Sequence, residues 1–154
     1  MSAADRAAYD VDGPPDGAAI VFLHGTRLCR SAWAPQMADL RDEFRVIAMD
    51  LPGHGARADD PFTLASAREA VVAVIEAAAG GRAVLVGLSL GGYVAMDVAA
   101  ARPDLVRGLV LSGATAEPVG WRAWPFRALG SALRRLDGPR FAAANAWFFT
   151  SSSL

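Results

Sequence analysis

Short apolar runs divide the chain at intervals that are too long for hairpins and long enough for helical crossovers. Runs over 18–23, 44–49 and 109–112, and a fourth that begins at Ala83, predict strands, and the continuous apolar run over 18–23 suits a central parallel strand covered on both faces. A weaker alternation over 7–12 predicts a short edge strand. Parallel strands with buried faces need such runs, so the pattern already favours a layered fold.

Between these runs, apolar residues recur at the spacing of helices. We expect Ser31 to cap a helix that buries Trp33, Met37 and Leu40. Thr63 is expected to cap a longer helix that runs to about Ala79, where two glycines stop it. Its predicted buried side consists of Leu64, Ala67, Val71, Val74, Ile75 and Ala78. Strands that alternate with helices predict an α/β fold: a mostly parallel sheet with helices on both faces.

Composition narrows the class of protein. With 154 residues, the chain is at most one domain by length, and its 53% hydrophobic and 20% charged residues are typical of globular proteins. A net charge of -1 argues against general binding to nucleic acid or to anionic membranes. Residues 1–16 do not resemble a signal peptide, and no apolar run is long enough to span a bilayer. The single cysteine, Cys29, is compatible with a reducing compartment, so we expect a cytoplasmic protein.

The segment Gly87-Leu88-Ser89-Leu90-Gly91 lies between the strand that begins at Ala83 and a helix that ends at Arg102-Pro103. This is the strand–turn–helix context of the G-x-S-x-G signature. The turn is tight enough to force strained backbone angles on the central serine, and flanking glycines let strand and helix pass closely. The hydroxyl of Ser89 should therefore project from the carboxyl edge of the sheet.

A glycine-rich turn after a strand also has less specific interpretations. A dinucleotide-binding loop needs a second glycine where Ser89 stands, and an acidic residue about 20 positions further on. No carboxylate occurs over 106–115, so this interpretation is disfavoured. Plain packing of a strand on a helix remains an alternative.

Through the segment around Ser89, the chain resembles the α/β-hydrolase fold family, with serine-nucleophile esterases and lactonases as its nearest types. The resemblance extends from about Tyr9 to about Thr115. It implies that Ser89 is the nucleophile, and that the backbone N–H groups of Thr26 and Leu90 stabilise the oxyanion. It also implies that His24 braces the loop carrying Thr26 and does not act as the base.

The family order of catalytic residues is nucleophile, acid, histidine. The two histidines of the sequence are His24 and His54, so no histidine follows His54. His54 itself matches a structural position of the family. Glu117 matches a variant position of the acid. A triad of Asp50, His54 and Ser89 stays open as an alternative. We expect no cofactor, and two histidines with scattered carboxylates make a poor case for a metal site.

The resemblance divides the chain into two segments: a partial hydrolase core over 1–117, truncated after the strand near 109–112, and the start of a helical cap over 118–154. After Gly120, apolar residues at helical spacing are interleaved with arginines, a pattern that also fits a basic amphipathic helix on a membrane surface; the resemblance implies a helical cap at this position. We therefore expect an N-terminal portion of a hydrolase: a truncated gene product, a cloned fragment or one part of a two-chain assembly. Its bare last strand would pair with a complementary C-terminal chain or with a second copy.

The resulting expectation is a hydrolase of small carboxylic esters, lactones or thioesters that is incomplete without a triad acid and histidine, and so weakly active or inactive. Its partner would be a small ester-like molecule, with no nucleic acid or membrane. A catalytically inactive binding or interaction module of the same fold is the main alternative. Acyl transfer, which needs only a different acceptor, is another.

Overall fold

A computed structural model of the chain describes residues 8–114. The strands are β1 (Tyr9–Asp12), β2 (Ala19–Leu23), β3 (Arg45–Met49), β4 (Ala83–Leu88) and β5 (Val106–Ser112). The helices are α1 (Ala34–Leu40), α2 (Leu64–Ala78) and α3 (Leu90–Ala101), and short 3-10 turns cover Arg30–Trp33, Gly55–Arg57 and Pro103–Leu105. The predicted cap over 118–154 and Glu117 lie outside the described residues.

The strands form one sheet in the order β1-β3-β2-β4-β5. β1 runs antiparallel to β3, and the other neighbouring pairs are parallel. This confirms the predicted α/β class with a mostly parallel sheet. Because β2 and β4 are direct neighbours, with Leu23 opposite Gly87, the loops that leave their carboxyl ends start side by side.

Alternate residues of the strands enter two separate cores on opposite faces of the sheet. On one face, Leu23 and Leu85 pack with α2 and α3, and both leucines are fully buried. On the other, Phe22 packs with residues of α1 and the 3-10 turn before it. Helices on both faces were predicted, and the two cores confirm them.

Local signals gave mixed results at the helix starts. Thr63 caps α2 as predicted, because its Oγ1 accepts the N–H of Ser66 at 2.9 Å. The predicted cap at Ser31 is wrong: a 3-10 turn occupies that position, and α1 begins at Ala34. The physical reason is the proline at position 35, which is tolerated in the first turn of a helix but not further inside it.

Two smaller predictions about burial and strand length also need correction. Leu64 is 44% exposed, because it is the first residue of α2 and lies one turn before the first buried residue, Ala67. β5 begins three residues earlier than predicted, at Val106. Its first half contains Arg107 and Gly108, which masked the apolar pattern in the sequence.

Candidate active site

Ser89 occupies the corner between β4 and α3. Its backbone angles are φ +49° and ψ −110°, in the left-handed range that residues with a Cβ adopt only at a cost of about 1–3 kcal/mol. The corner is held on both sides. The Ser89 N–H donates to the carbonyl of Ser112 at 2.8 Å, and the Ser89 carbonyl accepts the N–H of Gly92 at 2.9 Å. The strain is therefore built in by the strand ladder and by the first turn of the helix.

The glycines around this corner let the backbone of α3 lie closer to the backbones of β4 and β2 than any side chain would permit. A Cβ on Gly87 would lie 2.5 Å from the carbonyl oxygen of Gly91. A Cβ on Gly91 would lie 2.2 Å from the carbonyl oxygen of Leu23, at the end of β2. Contacts this short are with backbone atoms, which cannot rotate away. The glycine spacing in the sequence therefore reflects direct contact of α3 with β4 and β2.

The loop after β2 contacts the same corner. A Cβ on Gly25 would be 3.6 Å from the Cβ of Ser89, an ordinary van der Waals distance. Gly25 also closes a turn, because its carbonyl accepts the N–H of Leu28 at 3.1 Å. Thr26 is exposed within this turn. Leu90, the first residue of α3, lies at the helix N-terminus, where N–H groups have no acceptor inside the helix. Ser89, Leu90 and the Thr26 turn are thus brought to one end of the sheet.

His24 is fully buried and bridges two loops. Its Nε2 accepts the N–H of Leu51 at 3.1 Å, which leaves Nδ1 to carry the proton and donate to the Gly25 carbonyl at 2.9 Å. The pKa of His24 is lowered mainly by burial. The nearby His54 lowers this pKa further, and the hydrogen bond to Gly25 raises it. Both ring nitrogens are therefore engaged by backbone groups, as expected of a brace.

Asp50, directly after β3, is the second buried polar side chain in the described part of the chain. Its Oδ1 accepts the backbone N–H of Arg30 at 2.7 Å, and its Oδ2 accepts the N–H of Ala56 at 2.9 Å and the Nη1 of Arg30. Burial alone would raise the pKa of the Asp50 carboxyl. The N–H groups of Ala56 and Arg30 and the guanidinium outweigh burial, so this pKa is lowered.

The alternative triad of Asp50, His54 and Ser89 is not formed. The Asp50 carboxylate is engaged by Arg30 and Ala56, and the Nδ1 of His54 is hydrogen-bonded to the carbonyl of Pro52 at 3.0 Å. The His54 ring packs against that of His24, with 5.1 Å between centroids. Across residues 8–114, no hydrogen bond joins the Ser89 side chain to either histidine. The sequence left this triad open as an alternative, but the fold gives Asp50 and His54 other partners.

Other parts of the described chain offer less chemistry. A cavity of about 210 Å³ lies against α2 and shares no residue with the Ser89 corner; its lining includes Met49, Arg57 and Glu69. Over residues 8–114, no group of three or more His, Cys, Asp or Glu is placed to hold a metal ion. None of the helices described is both long and apolar enough to cross a membrane.

Sequence reasoning missed Arg30. It joins Asp50 on one side and donates from Nε to Asp10 on the other, at 2.9 Å. Both carboxylates are 20 residues away along the chain, in opposite directions. No local pattern indicates such a pairing, and only the neighbouring positions of β1 and β3 bring the three side chains together.

A mostly parallel sheet with a strained serine between a central strand and its helix is the arrangement of α/β hydrolases. The model of the alpha/beta hydrolase family matches residues 20–153, and the chain belongs to this family. The resemblance seen in the sequence is thereby confirmed.

Several proteins that the chain is similar to are named as hydrolases or esterases. The chain is 43% identical, over 71% of its length, to the pimeloyl-[acyl-carrier protein] methyl ester esterase of Xanthomonas campestris. Among solved structures, a thermophilic esterase from Thermogutta terrifontis matches 90% of the chain with a TM-score of 0.70 and 32% identity, and the chain covers 51% of it. Est816, an N-acyl homoserine lactone degrading enzyme, matches 67% of the chain with a TM-score of 0.62 and 33% identity, and the chain covers 40% of it.

The chain spans about half the length of the curated relatives it matches, 51% of one and 42% of another. The residues that the family model matches, 20–153, include the Ser89 corner.

Proposed function

We propose that this chain carries the nucleophile and the oxyanion donors of a serine hydrolase that acts on small carboxylic esters, lactones or thioesters. The observation that supports this most strongly is the corner at Ser89. A non-glycine residue is held at φ +49° between a central strand and a helix, with the β2 loop in contact. Strain of this kind persists where the surrounding structure imposes it, and it clusters at active sites.

The chemistry is acyl transfer through an ester intermediate. The Oγ of Ser89 attacks the carbonyl carbon of the substrate while its proton passes to a base, and the carbonyl oxygen becomes an oxyanion. The N–H groups of Thr26 and Leu90 donate to that oxyanion. The carbonyl re-forms as the alcohol or thiol leaves with the proton, and water then attacks the acyl-serine and releases the carboxylic acid. Each oxyanion donor is worth about a hundredfold or more in rate.

The base is proposed to be a histidine other than His24 and His54. The ring nitrogens of His24 are engaged by Gly25 and Leu51, and Nδ1 of His54 is engaged by Pro52. Glu117 stays a proposal for the acid and lies outside the described residues. Oxyanion donors and binding alone retain some rate enhancement when a triad member is missing, so weak turnover is expected for the chain by itself.

Hydrolysis is the activity that the relatives favour. The Xanthomonas relative is named a methyl ester esterase, and Est816 is described as an enzyme that degrades N-acyl homoserine lactones. We extend ester-type substrates to this chain on that basis. A cytoplasmic location, suggested by the single Cys29, remains a prediction.

A fluorophosphonate probe tests the proposal on the full 154-residue chain, followed by mass mapping of the labelled peptide. We expect labelling at Ser89 that disappears in Ser89→Ala. Ser112→Ala is the matched control, because Ser112 contacts Ser89 through its backbone carbonyl, which alanine retains. A folded chain that takes up no label would favour the inactive binding module instead.

A further inference from the structure

The turn that carries Thr26 is fixed at both of its ends to the loop that follows β3. At the first end, His24 joins the Gly25 carbonyl to the Leu51 N–H. At the second end, the backbone and the guanidinium of Arg30 both donate to Asp50. The residues between these anchors, over 26–28, are exposed. The anchors at the two ends therefore contribute to the position of these residues relative to Ser89.

The anchor at Arg30 is built around a buried charge. The Asp50 side chain is 1% exposed and the Arg30 side chain 25% exposed. Gly55 closes over the carboxylate so tightly that a Cβ there would be 2.3 Å from the Asp50 Cγ. Asp10 on β1 holds the other edge of the guanidinium. A planar fork that donates to two carboxylates has a fixed orientation, which a flexible ammonium would lack.

We infer that Arg30 is a positioning residue for the oxyanion turn: by clamping the end of the turn to Asp50, it sets where the Thr26 N–H lies relative to Ser89. The inference rests on the proposed function of Ser89. The cluster of Asp10, Arg30 and Asp50 would then affect the rate at which Ser89 is acylated. It would do so through the backbone of residues 25–28, without touching the substrate.

Two measurements on the full-length chain test this: hydrogen–deuterium exchange of peptides covering 24–29, and the rate of fluorophosphonate labelling. Both are made well below the unfolding transition of each variant. For Arg30→Met we expect faster exchange over 25–28 and labelling slowed about tenfold to a hundredfold, as for a displaced catalytic group. Arg30→Lys, which keeps the charge without the fork, should recover part of both effects.

Arg68→Met is the matched control, because Arg68 also pairs with an aspartate, Asp97, at 2.9 Å, and lies on α2, outside the turn; its side chain is 34% exposed and that of Arg30 25%. It should change neither measurement. A merely structural role for Arg30 would slow labelling only in proportion to the unfolded fraction, and would overturn the inference. So would unchanged exchange, or faster exchange with an unchanged labelling rate.

The two proposals fail separately. If the wild-type chain takes up no label, the proposed function fails. Hydrogen–deuterium exchange alone then tests whether Arg30 fixes the turn. Faster exchange over 25–28 in Arg30→Met, but not in Arg68→Met, supports the role of Arg30. If Arg30→Met does not fold, Arg30→Lys supplies the same comparison with a smaller expected change.

Discussion

β4 and β5 are adjacent parallel strands, and each contains a run of apolar residues, but the two strands differ in how completely they are covered. Leu85 of β4 is fully buried, whereas its register partner Leu109 of β5 is 37% exposed, and the neighbouring Val110 is 54% exposed. β4 has a strand on each side, while β5 has β4 as its one strand partner within residues 8–114. An apolar run thus predicts a strand, but its neighbours decide how much its side chains contribute to stability.

The contrast extends to glycine. At the β4 corner, glycines are in contact with backbone, and at β5 a Cβ on Gly108 would meet nothing within 4 Å. The tightly packed corner is also where the proposed chemistry lies. We therefore expect substitutions at the β2–β4 junction, where the proposed site lies, to have far larger effects than the same substitutions on β5.

The largest expected effect comes from exchanging a glycine for alanine at each place. Gly91→Ala puts a methyl group 2.2 Å from the Leu23 carbonyl oxygen, so it should lower the free energy of unfolding by about 4 kcal/mol or more. Gly108→Ala should change it by less than about 0.5 kcal/mol. Urea denaturation followed by circular dichroism measures both. Equal midpoints for the two variants would contradict the packing contrast.

The next effect compares two leucines that lie opposite each other in register. Leu85→Ala removes a fully buried side chain and should cost about 3 kcal/mol, including the cavity left behind. Leu109→Ala should cost about 1 kcal/mol, since part of its surface is already in water. Urea denaturation of the two variants measures both losses in the free energy of unfolding. Similar losses for both would show that β5 is as well covered as β4.

A smaller effect is the dependence of stability on pH. Burial lowers the pKa of His24 below its ordinary value of 6.5, so the unfolded chain binds a proton that the folded chain does not. The contribution of neutral His24 to the free energy of unfolding is therefore complete above pH 6.5 and is lost as the pH falls below that value. The free energy of unfolding should change with pH by at most about 1.4 kcal/mol per pH unit from this one group.

Denaturation between pH 5 and pH 8 on His24→Gln and Leu109→Ala separates the two regions. The slope should be smaller in His24→Gln and unchanged in Leu109→Ala, because His24 belongs to the junction and Leu109 to β5. An identical slope in His24→Gln and wild type would show that the buried imidazole does not cause it. Asp50 acts in a separate window, below pH 3.8, since its pKa is lowered from that value.

The smallest effect on stability is expected at Val110. Val110→Lys places a charge on an exposed apolar position of β5 and should change the free energy of unfolding by less than about 0.5 kcal/mol. It should nevertheless reduce self-association, because charges on edge strands discourage pairing with other chains. Light scattering at increasing concentration measures this. Ala100→Lys, on an exposed position of α3, adds the same charge elsewhere; an equal reduction there would indicate net charge as the cause.

Much of the local structure could be predicted because its causes are local. The cap at Thr63 depends on a residue three positions away, and the corner at Ser89 depends on glycines two positions to either side. Where local prediction failed, a competing local rule was overlooked, as with the proline that delays the start of α1 until Ala34. The class of fold followed from the alternation of these elements.

The contacts that position the candidate site could not be predicted in the same way. Gly25 meets Ser89 because β2 and β4 are neighbours, and Arg30 meets Asp50 because β3 lies on the other side of β2. These pairs are separated by 64 and 20 residues (89 − 25 and 50 − 30). No periodicity specifies which distant segments meet.

By itself, the sequence determined the strands, the helices, the serine corner and the family to which the chain belongs, because hydrophobic spacing and glycine sterics act within a few residues. Only the tertiary structure decided which groups engage the two buried polar side chains: Gly25 and Leu51 for His24, whose bracing role the resemblance implied, and Arg30 and Ala56 for Asp50. It also decided that Arg30 joins two carboxylates, and that β5 is half exposed. Hydrogen bonding and burial depend on which groups the chain brings together in space, and the order of strands in the sheet sets that.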